Sequence, residues 1–168
     1  MGGKIFFDWS SDTIIITAIY TVVIIAVLIY LFRTISFRDP FSMWGGRLIT
    51  AVIIIAAEIY FATVTPLFLS YNEDEIRIRM VLGCKRIPYE DIVSIQKIEP
   101  EVISNSTRKV GSGGAGGYVG LFNNRTLGDY YMYATKKQEL VLVESKTKRY
   151  VFNCAEREDL VEFVQKRL

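Results

Sequence analysis

The sequence predicts a hairpin of two membrane-spanning α-helices followed by a small α+β domain, and three observations lead to this fold class. Two nearly uncharged stretches, residues 13–32 and 48–69, are each about as long as the ~20 residues that cross a bilayer as a helix. The residues that follow alternate between apolar and polar in short runs, which is typical of half-buried strands. The end of the chain returns to helical spacing. We therefore predict a tail over residues 1–12, a transmembrane hairpin over 13–69 and a soluble domain over 70–168.

Both apolar stretches are rich in Ile, Val, Leu and Ala and lack the polar stripe that marks a helix on a soluble surface. The first is longer than the apolar core of a cleaved signal peptide, which has about 7–15 residues. Arg33 and Thr34 follow it, in place of a small-residue cleavage pattern. We expect this stretch to remain in the mature protein.

A polar link over residues 33–47 joins the two spans, and Pro40 with the pair Gly45–Gly46 is expected to interrupt any continuous helix. Three aromatic side chains of the link suit the interfacial belt of a membrane: Phe37, Phe41 and Trp44. Because the link is short, the two helices are expected to run antiparallel and to place both ends of the hairpin on one side of the membrane.

The charges near the spans do not decide on which side of the membrane the soluble domain lies. Arg33, Arg38 and Arg47 against Asp39 favour a link that faces the cytoplasm under the positive-inside rule. The opposite side carries a similar number of basic residues: Lys4, Arg77 and Arg79.

Glu58 lies near the middle of the predicted second span, where an ionised carboxylate costs about 2.5–3.5 kcal/mol on insertion scales. In an antiparallel hairpin its depth matches Tyr20 and Thr21. Three interpretations stay open: a protonated carboxyl that hydrogen-bonds one of these hydroxyls, a contact to another subunit or membrane partner, or ion or proton translocation.

Period-2 alternation over residues 75–80 predicts the first strand after the membrane, between turns at 72–74 and at Gly83. Residues 87–92 predict a short helical turn. Further strands are expected over residues 93–98, 130–135, 140–144 and 150–153. The final helix is expected over residues 155–168, with an apolar face made by Leu160, Phe163, Val164 and Leu168.

Residues 87–92, the Gly-rich stretch after them, and residues 117–122 and 127–135 together resemble the bacterial pleckstrin-homology-like (PH-like) domain family. The resemblance covers about residues 70–168. It implies a strongly bent, seven-stranded antiparallel sheet or barrel that is capped by the C-terminal helix and serves as a binding or assembly platform without catalysis. It does not extend to phosphoinositide binding, because the hairpin over residues 72–75 is acidic and would repel a phosphate.

Residues 111–117 formally contain a G-x-G-x-x-G string. A polar loop precedes this string and no helical pattern follows it, which excludes a dinucleotide site. We expect a flexible loop between strands that acts as a binding element. An aromatic-dense region, interpreted as core packing or as a rim for a peptide or ligand, follows it. The predicted partner-binding residues are Gly113, Gly114, Gly116, Gly117, Tyr118, Phe122 and Tyr130.

The amino-acid composition argues against several classes of function. Histidine is absent, which removes the commonest general base and metal ligand, and excludes a zinc site or a His-dependent triad. The net charge of only +2 argues against a nucleic-acid binder. Cys84 and Cys154 are expected to be buried free thiols. No cofactor is predicted.

We therefore expect a non-enzymatic, membrane-anchored interaction or scaffolding module in the bacterial cell membrane, which binds a protein partner or further copies of itself. The alternative is an accessory subunit of a membrane complex, in transport or envelope stress, that acts through the helices and Glu58.

Overall fold

The computed structural model describes residues 2–38 and 40–168. Met1 of the predicted tail and Asp39 of the charge comparison lie outside this range. The described residues form three α-helices, ten strands and two short 3-10 turns. In chain order these are β1 (Gly3–Phe6), α1 (Ser11–Thr34), α2 (Phe41–Val64), β2 (Pro66–Tyr71), β3 (Glu75–Met80), β4 (Cys84–Pro88), a 3-10 turn (Tyr89–Asp91), β5 (Ile92–Ile98), a 3-10 turn (Pro100–Ile103), β6 (Thr107–Gly114), β7 (Gly117–Asn124), β8 (Gly128–Ala134), β9 (Leu140–Ser145), β10 (Arg149–Asn153) and α3 (Arg157–Gln165).

The helices α1 and α2 are long and apolar enough to cross a membrane, as the sequence predicts. Each has 24 residues, which corresponds to about 36 Å at 1.5 Å per residue. Ser10 caps α1, since its hydroxyl oxygen accepts a hydrogen bond from the backbone N–H of Thr13 at 3.2 Å. Pro40 precedes α2, a position where its missing N–H costs no hydrogen bond.

The bounds of α2 differ from the prediction at both ends. The helix starts directly after Pro40 and includes Gly45, over which the ring of Phe41 packs. It ends at Val64, and the apolar run continues as strand β2. Composition does not mark this boundary, because a half-buried strand and a membrane helix use the same residue types. Glu58 consequently lies six residues before the end of α2, about 9 Å along the axis, and the prediction that it lies near the middle of the span is wrong.

Strands β1 to β4 form an antiparallel sheet in the order β1-β2-β3-β4. The predicted tail therefore contains a strand, with Phe6 opposite Phe68. On β3 the apolar side chains Ile76 and Ile78 are fully buried, while Arg77 and Arg79 between them are exposed, which confirms the predicted alternation.

A second sheet has the order β5-β9-β10-β8-β7-β6. Strand β10 fills the position between β8 and β9 and runs parallel to β8, so this pair departs from the predicted antiparallel arrangement. The implied count of seven strands is also wrong, because β1 and the Gly-rich strands add to it. The predicted plan of a bent, strand-rich domain that ends in a C-terminal helix is confirmed, with two open sheets in place of one sheet or barrel.

One core joins both sheets and α3. Strand β9 is buried on both faces: Val141 and Val143 pack into this shared core, whereas Leu140 and Leu142 pack into a second cluster with β7 and β8. The helix α3 adds Leu160, Val161 and Val164 to the shared core. Leu168 lies beyond the end of α3 and is exposed, contrary to its predicted place on the apolar face.

Hydrogen bonds connect the start of α1 and the end of α2 to the sheets. The backbone N–H of Leu82 donates to the carbonyl of Thr63 at 2.9 Å, after the end of β3. Before α1, the buried Thr135 hydroxyl donates to the carbonyl of Asp8 at 2.5 Å. The helices therefore leave the domain at two fixed points.

Candidate binding site

The Gly-rich segment forms a β-hairpin, β6–β7, and the prediction of a flexible loop is wrong. Its strands pair in register from Thr107 opposite Asn123 to Gly114 opposite Gly117. Alternation of side chains does not reveal such strands, because glycine has no side chain to alternate.

Two glycines opposite each other, Gly111 and Gly120, let the strands of this hairpin approach closely. Their φ values are +115° and +136°, a region that side-chain-bearing residues rarely adopt. A Cβ on Gly111 would overlap the carbonyl oxygen of Val119, and one on Gly120 would overlap that of Val110. These two glycines are required by the backbone.

The tip of the hairpin contacts α1. The backbone N–H of Gly116 donates to the Thr17 hydroxyl at 3.0 Å. A Cβ on Gly114 would lie 3.5 Å from Ile16. Of the other predicted binding glycines, Gly117 is buried, where a Cβ would lie 2.8 Å from the carbonyl oxygen of Ala134, and Gly113 is exposed.

The predicted aromatic residues belong to β7 and β8, and two of the three are buried. Tyr130 is 1% exposed and Phe122 is 6% exposed, so they are core residues and not an exposed rim. Their rings stack with centroids 6.0 Å apart. Tyr118 is half-buried, and the Lys137 Nζ lies 4.7 Å from its ring centroid. These four residues belong to an open cavity of about 440 Å³, which we call the aromatic groove.

The aromatic groove is positively charged. Among the described residues that line it are two cations and no carboxylate: Ile103, Ser104, Ser106, Arg108, Gly113, Tyr118, Phe122, Tyr130, Met132 and Lys137.

The floor of the groove is held by buried hydrogen bonds. Burial raises the pKa of Tyr130 above its ordinary value, so its hydroxyl stays protonated and donates to the Ser106 oxygen at 2.7 Å. The Asn124 side-chain amide donates to the same oxygen at 2.9 Å and to the carbonyl of Val102 at 2.8 Å. The groove is therefore preformed.

A second cavity, of about 540 Å³, lies between the tip of β6–β7 and the two long helices. We call it the helix–hairpin cleft. The predicted intramembrane residues Glu58, Tyr20 and Thr21 all line it, and the Tyr20 hydroxyl donates to the Glu58 carboxylate at 2.8 Å. Sequence reasoning missed Thr17 and Arg108, which line the same cleft.

A stripe of threonines on α1 is the signal that could have revealed the cleft. Thr13, Thr17 and Thr21 recur every four residues and so share one face of the helix. The Thr17 hydroxyl donates to the carbonyl of Thr13 at 2.6 Å, and the Thr21 hydroxyl to that of Thr17 at 2.8 Å. Because these hydroxyls bond the backbone of α1 itself, the helix remains apolar enough to cross a membrane, as predicted.

In the turn between β2 and β3, two backbone N–H groups that could bind a phosphate are already hydrogen-bonded. The Asn72 side-chain oxygen accepts hydrogen bonds from the backbone N–H groups of Asp74 and Glu75, both at 2.9 Å. The turn uses its own side chain to satisfy its amides, and the acidic side chains around it repel anions.

Comparison with known proteins gives one match. The family model described as "Bacterial PH domain" matches residues 68–168, which is more than half of the chain. Comparison with curated proteins found no match. Comparison with solved structures found none either.

Proposed function

Because the chain belongs to the bacterial PH domain family, we propose that it is a non-enzymatic interaction module anchored in the bacterial cell membrane. Its helix pair crosses the bilayer, and its PH domain binds a partner protein, or further copies of the chain, at the membrane surface.

The distribution of exposed apolar side chains supports the membrane anchor. Most of the exposed large hydrophobic residues of the described chain lie on α1 and α2. Trp9, Val81 and Leu82 extend this surface onto the domain, close to the points where the helices leave it. Such a surface is stable when lipid covers it.

The aromatic groove is the observation that carries the binding function. It combines an apolar floor, Phe122 and Tyr130, with Lys137, whose ammonium contacts the Tyr118 ring and has no carboxylate partner among the described residues. Apolar pockets with a few convergent polar groups are the usual form of a binding site. Because the lining contains cations and no carboxylate, we propose that it binds a protein segment that carries acidic side chains or a terminal carboxylate.

Peptide binding to the full-length chain in detergent micelles tests this proposal. Acidic aromatic peptides are expected to bind, with an affinity that falls as salt rises. Neutral and basic peptides of equal length are expected not to bind. Lys137→Gln should weaken binding several-fold, whereas Arg125→Gln, on the exposed β7–β8 turn, is the matched control and should leave it unchanged. Equal binding of acidic and basic peptides would overturn the proposed docking role of the groove.

A second candidate is an accessory subunit of a membrane complex that assembles through the helices; it is supported by the second oxygen of Glu58, which accepts no hydrogen bond from the described residues, whereas Tyr20 donates to the first. Glu58→Gln separates the two candidates. Loss of assembly with intact peptide binding would favour the subunit, whereas intact assembly and loss of partner capture by Lys137→Gln would favour the interaction module.

A further inference from the structure

The helix–hairpin cleft contains a positive and a negative side chain that have no partner of opposite charge among the described residues. One oxygen of Glu58 accepts a hydrogen bond from Tyr20, while the other accepts none from the described part of the chain. The guanidinium of Arg108, which also lines the aromatic groove, makes no hydrogen bond or ion pair with the described residues. A ligand with both charges would complement both side chains.

The position of Glu58 favours a partner that donates hydrogen bonds to its carboxyl group. It lies about 9 Å from the end of α2, on the helix pair that we propose to cross the bilayer. An ionised carboxylate near hydrocarbon is stable when donors satisfy both oxygens. Tyr20 satisfies one of them.

The hairpin tip that closes the cleft suits the level of the lipid headgroups. Residues 113–117 carry no charged side chain and, apart from Ala115, no side chain at all. The N–H of Gly116 is satisfied by Thr17, and the Ser112 hydroxyl donates to the carbonyl of Ala115. Backbone that contacts a membrane needs its polar groups satisfied in this way.

The remaining residues that line the cleft suit the part of a lipid where the headgroup joins the acyl chains. Trp9 and Phe61 supply aromatic surface, and Ala62 a small apolar surface, on the helix side of the cleft. Aromatic rings of this kind are favoured at the boundary between headgroups and acyl chains. The volume of about 540 Å³ is in the range of small-molecule sites.

We propose that the helix–hairpin cleft binds the headgroup of a zwitterionic aminophospholipid, of the phosphatidylethanolamine type. The primary ammonium donates to Glu58, and the phosphodiester accepts from Arg108. An anionic glycerol headgroup leaves Glu58 without a cation, and a choline headgroup has no N–H to donate to it. This inference rests on the proposed insertion of the helices into a bilayer.

Native mass spectrometry of the delipidated full-length chain, with phosphatidylethanolamine, phosphatidylcholine and phosphatidylglycerol of matched acyl chains, tests the inference. Phosphatidylethanolamine is expected to bind about tenfold or more tightly than the other two, as the loss of one charge-assisted hydrogen bond implies. Glu58→Gln should reduce its affinity to that of phosphatidylcholine. Arg108→Gln should weaken phosphatidylethanolamine and phosphatidylcholine alike, since both carry the phosphodiester. Arg125→Gln is the control.

Three lipid-binding results would each overturn the inference: equal affinities of the wild-type chain for the three lipids, tightest binding of phosphatidylglycerol, or an ethanolamine preference that survives Glu58→Gln. The comparison of lipids on the wild-type chain needs no variant and stands even where a variant folds poorly. A direct Glu58–Arg108 pair would show as equal stability losses in both variants with unchanged lipid selectivity, and would also overturn it.

Alkaline carbonate washing of membranes separates this inference from the proposed anchor. A chain that the wash extracts contradicts the membrane anchor and the lipid site together. A chain that stays in the membrane but shows no preference for ethanolamine contradicts the lipid site alone.

Discussion

Replacement of Gly111 by alanine is expected to destabilise the domain far more than the same replacement at Gly113, two residues along the same strand. Gly111 has φ +115°, and a Cβ there would overlap the carbonyl oxygen of Val119 on the paired strand. Gly113 has no positive φ, and its Cβ would meet only the mobile end of the Arg108 side chain, at 3.0 Å. The two variants therefore share composition and location but differ in backbone strain.

The magnitude follows from the strain. A non-glycine residue in such a conformation costs about 1–3 kcal/mol, and separation of the strands adds about 1 kcal/mol for each ladder hydrogen bond lost. We expect Gly111→Ala to lower the free energy of unfolding by about 3 kcal/mol, which corresponds to a Tm about 12–24 °C lower for a domain of this size. Gly113→Ala should change it by less than about 1 kcal/mol, because alanine also restricts the unfolded chain.

Thermal unfolding of the full-length chain in detergent micelles, followed by the circular dichroism of the sheets, measures both effects. Hydrogen exchange should show faster exchange of the β6 and β7 amides in Gly111→Ala. A Gly111→Ala variant as stable as Gly113→Ala would refute the argument that close approach of the strands requires glycine.

Three further predictions concern the core, the thiols and the charges of the domain. Tyr130→Phe removes a buried hydroxyl that donates a hydrogen bond, and should lower the free energy of unfolding by about 1 kcal/mol in urea titrations. Cys84 is half-exposed and should react with an impermeant maleimide when the domain faces the outside of intact cells. Cys154 is buried and burial raises its pKa to about 12, so it should react only after denaturation; rapid reaction of the native chain would contradict this burial. Arg149 holds the pKa of Glu144 below its ordinary value, so this pair stabilises the fold at neutral pH and the gain is lost as the pH falls through that lowered pKa. Glu144→Gln should thus cost less than about 1 kcal/mol at pH 7 and nothing at strongly acidic pH, as pH-dependent unfolding would measure.

The elements with side-chain periodicity could be predicted from the sequence. The buried Ile76 and Ile78 of β3 mark their strand by alternation, and Leu160 and Val164 mark one face of α3. Tyr130 and Met132 likewise share one buried face of β8, as their spacing indicates.

Elements without such periodicity could not be predicted. The register of β6–β7 depends on backbone contacts between glycines, such as Gly111 and Gly120. No pattern of side chains in the sequence indicates those contacts. Strand β1 has a weak signal, since Ile5 and Phe7 alternate and are both buried, but its partner lies beyond two helices. The groove and the cleft depend on how β6–β7 sits between sheet and helices, which is a property of tertiary packing.

The Cys84 prediction also corrects an expectation from composition. Both thiols are free, but only Cys154 is buried. Cys84 is on β4 at the edge of its sheet, so on one side no strand of the described chain lies beside it. Labelling of Cys84 therefore reports on which side of the membrane the domain lies, and labelling of Cys154 reports unfolding.

For a chain whose helices cross the bilayer as proposed, the pairing of β1 with β2 constrains insertion during synthesis. Phe6 and Phe68 lie opposite each other, and both long helices come between them in the chain. Synthesis adds about 5–20 residues per second, so roughly 3–12 s pass between the synthesis of β1 and that of its partner strand β2. If only one helix crossed the bilayer, β1 and β2 would emerge in different compartments, and Ile5 and Phe7 would be missing from the core. If the helices cross the bilayer as proposed, this sheet can form only when the chain has crossed the membrane an even number of times.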